Sequence, residues 1–134
     1  MQVSLAEVRV GVTYPVAALE VARSELSSAA ARRLVLFGET LDAAGAEALA
    51  VFDRRVAAAD LREQAIGQAQ RHALLPPQAF ATTKRELREA QIARIGAARA
   101  GHAEPRLVTW LGEEMRRASG AVMRASTEVL RGAT

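Results

Sequence analysis

Cysteine is absent from this 134-residue chain, which removes disulfides, thiolate nucleophiles and every zinc site built on Cys. Histidine is nearly absent. His72 and His102 stand far apart in sequence, so a His-rich metal centre is not expected. No apolar run approaches the ~18 residues that a membrane-spanning helix needs. The opening Met1-Gln2-Val3-Ser4 lacks the basic and apolar regions of a secretory signal. The expected location is therefore the cytoplasm, with no membrane partner. Aromatic residues make up only 4% of the chain, and Lys84 is the sole lysine among 18 basic residues. Arginine and alanine enrichment together commonly follow from GC-rich coding. The net charge of +3 is dispersed, as in Arg85-Glu86-Leu87-Arg88-Glu89. A nucleic-acid-binding protein presents a concentrated basic stripe instead, so no nucleic-acid partner is expected. Gly-rich phosphate loops, nucleophile elbows and acidic metal clusters are also missing.

What remains is a chain that is half hydrophobic and rich in alanine. Its length suits a single domain over residues 1–134. Small apolar residues favour closely packed helices, because alanine has the best helix propensity. The expected fold class is mainly α with one or two short β-strands. Alternation over Leu5-Ala6-Glu7-Val8-Arg9-Val10-Gly11-Val12 predicts a short extended segment. Pro15 opens a helix. Ser27 or Ser28 caps a second helix carrying Leu34 to Phe37, which Gly38 closes. Asp42 caps a short helix over 43–50, and 51–56 reads as a brief strand. A helix from Asp60 to about Leu75 ends at Pro76-Pro77, where the next begins and runs to about Ala100.

The last helix, from about Pro105 to Leu130, has the clearest periodicity. Val108, Leu111, Met115, Ala118, Val122, Ala125 and Val129 recur at spacings of three and four, which makes an apolar seam. Such a seam serves either its own domain or another subunit. Trp110 flanks it and reads as a packing residue.

Four segments resemble the crotonase superfamily, the enoyl-CoA hydratase/isomerase family. Residues 5–15, Leu-Ala-Glu-Val-Arg-Val-Gly-Val-Thr-Tyr-Pro, are similar to its Pro-Glu-hydrophobic, then Gly, then Pro segment. Residues 36–43, Leu-Phe-Gly-Glu-Thr-Leu-Asp-Ala, resemble its Thr-Gly-Glu-x-hydrophobic-x-Ala stretch. Residues 48–56 resemble Ala-x-x-Gly-Leu-Val-Asp-x-Val, with Ala50 at its glycine and Asp53 at its Asp. Residues 75–85 resemble a helix reading Pro-x-Ala-x-x-x-x-Lys. Order and spacing agree across the chain. The resemblance implies the C-terminal part of a crotonase-like ββα spiral followed by a helical trimerisation region. Residues 1–58 would form the last spiral turn and 59–134 the helical oligomerisation region of a homo-oligomer. Three departures stand out. Ala6 replaces a common proline, Ala50 replaces the usual glycine, and Tyr14-Pro15-Val16-Ala17-Ala18 replaces a glycine-rich stretch beside the acyl pocket.

The implied substrate class is acyl-CoA thioesters, with no further cofactor. Enoyl-CoA chemistry passes through a thioester enolate, stabilised by two backbone amides while a carboxylate moves protons. Glu7 matches the family's second glutamate, and Val8, Val10 and Val12 would surround it with apolar groups. Alternation alone reads Glu7 as an exposed residue on the polar side of a strand. The resemblance reads it as the catalytic carboxylate. Lys84 and Arg85 are candidates for CoA phosphates, or form a solvated helix face beside Glu86 and Glu89. His72 and His102 read as surface or capping residues. The family's oxyanion amides, first glutamate and most of its CoA surface lie upstream of the matching segments. The chain alone is therefore expected to lack hydratase activity. Hydratase, isomerase and dehydratase remain undistinguished. The alternative is a non-catalytic helical interaction module derived from a crotonase.

Overall fold

The computed structural model describes residues 1–101 and 105–132. It is mainly helical, with one small antiparallel sheet in which β1 (Gln2–Ser4) pairs with β2 (Thr40–Asp42). Val3 lies opposite Leu41, and Leu41 points into the core. Between the two strands run a 3-10 turn (Glu7–Val10), α1 (Val16–Glu25) and α2 (Ser28–Ala31). α2 widens into a π-helical turn at Arg32–Leu36. After β2 come α3 (Ala43–Ala48), α4 (Leu61–Ala73) and α5 (Pro77–Ala100). A second 3-10 segment (Pro105–Leu111) precedes α6 (Glu113–Gly132). None of the described helices is long and apolar enough to cross a membrane.

The core lies under the sheet. Leu34, Leu41 and Ala46 form its centre, and Val3, Leu5, Leu26, Leu49, Val51 and Phe52 pack around them. Local signals place these residues. The Ser27 hydroxyl accepts from the Ala30 N–H at 3.2 Å, and Asp42 Oδ1 accepts from the Gly45 N–H at 2.7 Å. Each thereby satisfies an orphan donor of a helix start. Pro15 and Pro76 sit immediately before α1 and α5, as expected.

Three left-handed residues end helical segments: Gly11 (φ +72°), Gly38 (φ +59°) and Ala50 (φ +53°). At Ala50 the N–H bonds to Glu47 O and the next N–H bonds to Ala46 O, both at 2.9 Å. That pair of bonds is a Schellman closure, which usually takes glycine. Gly11 and Val12 close the first 3-10 turn the same way, onto Val8 and Glu7.

Several local expectations are corrected. Residues 5–12 do not form a strand. The strand is earlier, at Gln2–Ser4, and Glu7–Val10 wind into a 3-10 turn fastened by Arg9 N–H to Ala6 O at 2.9 Å. Residues 51–56 form no strand, because Val51 is consumed in closing α3 and Val51 and Phe52 turn onto the core. The last helix does not start at Pro105. The chain to Leu111 is 3-10, and α6 begins after Gly112. Three residues per turn instead of 3.6 move Val108 and Leu111 off the seam into solvent, whereas Met115, Ala118 and Val122 are half-buried. The side chains of Ala125 and Val129, and all of His102, lie outside the described residues.

α4 and the first half of α5 stand apart from this core. Neither helix has a buried residue. The second half of α5 docks on α1 through charged groups. Glu20, only 4% exposed, receives Arg23 Nη1 at 2.8 Å and Arg94 Nε at 2.6 Å. Arg88 reaches Glu25 at 2.7 Å and the Ser24 carbonyl at 3.0 Å.

Candidate functional site

Glu7 opens the first 3-10 turn and is half-buried. It lines an open groove of about 500 Å³ between the N-terminal segment and the start of α6, with Val10, Val12, Trp110, Met115 and Ser119. The 3-10 periodicity explains this company. Residues three apart eclipse, so Glu7 and Val10 share a face, while Val8 points to the opposite side of the turn. Val10 and Val12 thus supply the expected apolar surroundings, and Val8 does not. Ser119 donates to Met115 O at 2.6 Å, so its hydroxyl is engaged within its own helix.

Two features hold the groove in shape. Gly11 lets the turn approach α6 closely, since a Cβ there would lie 2.9 Å from the Glu114 carbonyl carbon. The second 3-10 segment is tied to the residues after the Glu7 turn. Trp110 Nε1 donates to Thr13 O at 3.0 Å, and the Thr13 N–H donates to Thr109 Oγ1 at 3.0 Å. Trp110 is therefore a groove wall with a fixed orientation, not only a packing residue beside the seam.

Tyr14 is the residue that sequence reasoning did not assign to the site. It is buried, and its hydroxyl donates to Leu5 O at 2.9 Å, which ties the chain together on either side of the Glu7 turn. Burial of the phenol, then the Glu7 side chain beside its hydroxyl, push the Tyr14 pKa well above its ordinary value. The phenol is thereby held in its protonated form, as the donor to the Leu5 carbonyl. The available signal was slight: a single tyrosine placed directly before Pro15.

Lys84 and Arg85 sit on the exposed first half of α5. Lys84 Nζ lies 5.7 Å from the Phe80 ring centroid, a cation–π distance. Neither residue lines the Glu7 groove. The structure does not bring the candidate phosphate-binding residues to the candidate carboxylate within this chain. His72 is an exposed residue near the end of α4, paired with Gln68 at 2.8 Å. Among the described residues no three His, Asp or Glu side chains converge as a metal-ligand set.

Chemically, the groove offers one carboxylate in mostly apolar surroundings, with an aromatic wall and an open mouth. Such a carboxylate can take a proton from one atom of a bound substrate and return it to another. Neither a family model, nor a curated protein, nor a solved structure matches this chain.

Proposed function

We propose that these residues form the C-terminal part of a crotonase-superfamily protein that acts on acyl-CoA thioesters, with Glu7 as its proton-transfer carboxylate. The observation that carries the reading is backbone conformation. The family pattern places glycine at positions 11, 38 and 50, and those are the three residues with positive φ among the described residues. Two are glycine here. The third, Ala50, keeps the left-handed conformation without the residue that suits it. Glycine adopts this conformation most readily, so the three positions agree with where the family pattern places glycine. Glu7 in a partly apolar groove adds a site of the right chemical kind.

On this reading Glu7 removes a proton beside the thioester carbonyl, and the enolate is held by amides contributed from outside these residues. One carboxylate suffices for a double-bond shift, whereas hydration is best served by two around one water. The test is turnover of enoyl-CoA substrates by the protein isolated at its native length. Glu7→Gln is expected to lower kcat by about 10²–10⁴, the usual contribution of a general base. Turnover that survives the substitution would sink the assignment. A readout free of turnover is the ultraviolet titration of Tyr14, the only tyrosine. Glu7→Gln should move its ionisation back toward the ordinary value of about 10.

The alternative, a non-catalytic interaction module, is favoured by a different observation. α4 and the first half of α5 expose Leu61, Ile66, Leu74, Phe80 and Leu87 on a projecting helical pair. Large apolar residues exposed along both helices leave area for a partner to cover. A second copy of the chain is the partner that the trimerisation reading requires. Activity that requires a separately supplied partner chain would favour the enzyme reading over the module.

A further inference from the structure

A second cavity lies on the far side of the Glu7 turn. It is an apolar groove of about 550 Å³ between α1 and the α2–π segment, within the range typical of small-molecule sites. Its floor is the buried pair Val12 and Tyr14. Its walls come from successive turns of two helices: Leu19, Ala22 and Leu26 on one side, Ala31 and Val35 on the other. Only Val12 also lines the Glu7 groove, where it forms part of the partition between the two.

The charged groups along this cavity are cationic, beside the neutral Thr13, Tyr14 and Ser28. Arg23 and Arg32 both line it, and no acidic side chain does. Arg23 is oriented from behind. Glu20 is almost fully buried and holds Arg23 Nη1 at 2.8 Å while also receiving Arg94 Nε at 2.6 Å. One carboxylate shared between two arginines leaves Arg23 incompletely neutralised. Arg32 is exposed and forms no ion pair among the described residues. The groove is thus apolar within, positive along its rim, and equipped with one arginine braced by a buried acid. Planar guanidinium groups suit a carboxylate or phosphate head.

We propose that the groove between α1 and the α2–π segment binds a small amphipathic anion. Its aliphatic body lies against Leu19, Leu26 and Val35, and its carboxylate meets Arg23 and Arg32. The complementarity has two independent parts, apolar shape and charge, and each can be removed separately. The site does not depend on Glu7, so it stands or falls apart from the enzymatic reading.

Decanoate is a suitable probe, titrated calorimetrically below its micellar concentration, with decanol as the uncharged analogue. Decanoate is expected to bind saturably with one-to-one stoichiometry, and decanol at least tenfold more weakly. Arg32→Glu should weaken decanoate at least tenfold. Ala22→Phe, which fills the groove, should abolish binding of both. Glu7→Gln should leave decanoate binding unchanged. Far-ultraviolet circular dichroism checks that each variant is folded, and the use of two unrelated substitutions protects against one that is not. Equal affinity for decanol and decanoate, or decanoate binding that survives both Arg32→Glu and Ala22→Phe, would show non-specific adsorption and overturn the proposal. So would a failure of decanoate to bind the unaltered protein.

Discussion

The first fifty or so residues and the helical pair that follows them are built from the same alanine-rich, arginine-rich material, yet they use it differently. In the first region Leu34, Leu41 and Ala46 converge on a common interior, and Val12 and Ala30 are buried as well. In the second, Leu61, Ile66, Leu74, Phe80 and Leu87 face solvent. Helix caps follow the division only in part, because α1 in the first region also starts without a side-chain cap. Ser27 and Asp42 cap with their side chains, whereas α4 and α5 start without a side-chain cap. The difference teaches that helical periodicity reports a face but not what covers it. Helices of 13 and 24 residues with so little buried surface draw little stability from packing within the chain.

The largest expected effect breaks the comparison on the packed side. Leu34 is 1% exposed at the centre of the core. Leu34→Ala should destabilise the fold by about 2–5 kcal/mol, the range for deleting a buried leucine side chain. Leu74 is 85% exposed, and Leu74→Ala should change stability by no more than about 0.5 kcal/mol. Urea unfolding of the two variants at one low concentration measures the contrast.

Where the two regions meet, polar contacts add to the half-buried Ile95 and Ala98 of α5. Arg94→Ala would leave the buried Glu20 carboxylate with Arg23 alone. Loss of one partner from a fully buried pair costs about 3–5 kcal/mol. Arg94 is 45% exposed and Arg23 remains, so solvent screening reduces the expected loss to about 1–3 kcal/mol. The loss should be local. Amide exchange in α5 should accelerate while the amides around Leu34 keep their protection, because separate regions open with separate free energies. Uniform acceleration in both regions would show that α5 and the core form one cooperative unit.

Ala50 sharpens the comparison from within the packed region. Its left-handed backbone carries a Cβ where glycine would carry none. Ala50→Gly should therefore stabilise the protein by about 1 kcal/mol. The relief of left-handed strain, about 1–2 kcal/mol, exceeds the extra flexibility that glycine gives the unfolded chain. A lowered midpoint in thermal unfolding would mean that Ala50 is not held left-handed.

The parts of the fold that were legible in sequence were those decided locally. Ser27, Gly38, Asp42 and the Pro76-Pro77 step act within one turn of chain, and each lies where the pattern put it. The errors arose where a remote contact decides. Residues 5–12 alternate like a strand, but the hydroxyl of Tyr14 and the close approach of α6 at Gly11 accompany a 3-10 turn instead. Residues 51–56 have strand-like residues without a strand to pair with. The spacing of the seam predicts one helix, yet Trp110 and Thr109 are tied to Thr13, almost a hundred residues away, and the chain there is 3-10. Of the candidate site, Glu7 was visible through its resemblance. Its wall, Trp110, and its brace, Tyr14, depend on tertiary contacts that spacing does not encode.

The smallest effect within one chain bears on what covers the helical pair. Leu87 is 69% exposed on α5. In a dilute sample, Leu87→Ser should shift stability by no more than about 0.5 kcal/mol, because it removes no substantial intramolecular packing. The same substitution has a different signature at high concentration. Any assembly that buries Leu87 links folding to association, so the melting temperature rises with protein concentration. We expect that rise for the unaltered protein, together with species larger than the monomer in sedimentation velocity, and we expect Leu87→Ser to flatten the one and diminish the other. A melting temperature independent of concentration, with a monomer throughout, would remove the oligomerisation reading and leave the exposed leucines to a partner of another kind. The division between the two regions would then be a division between the part that folds by itself and the part that waits for something else.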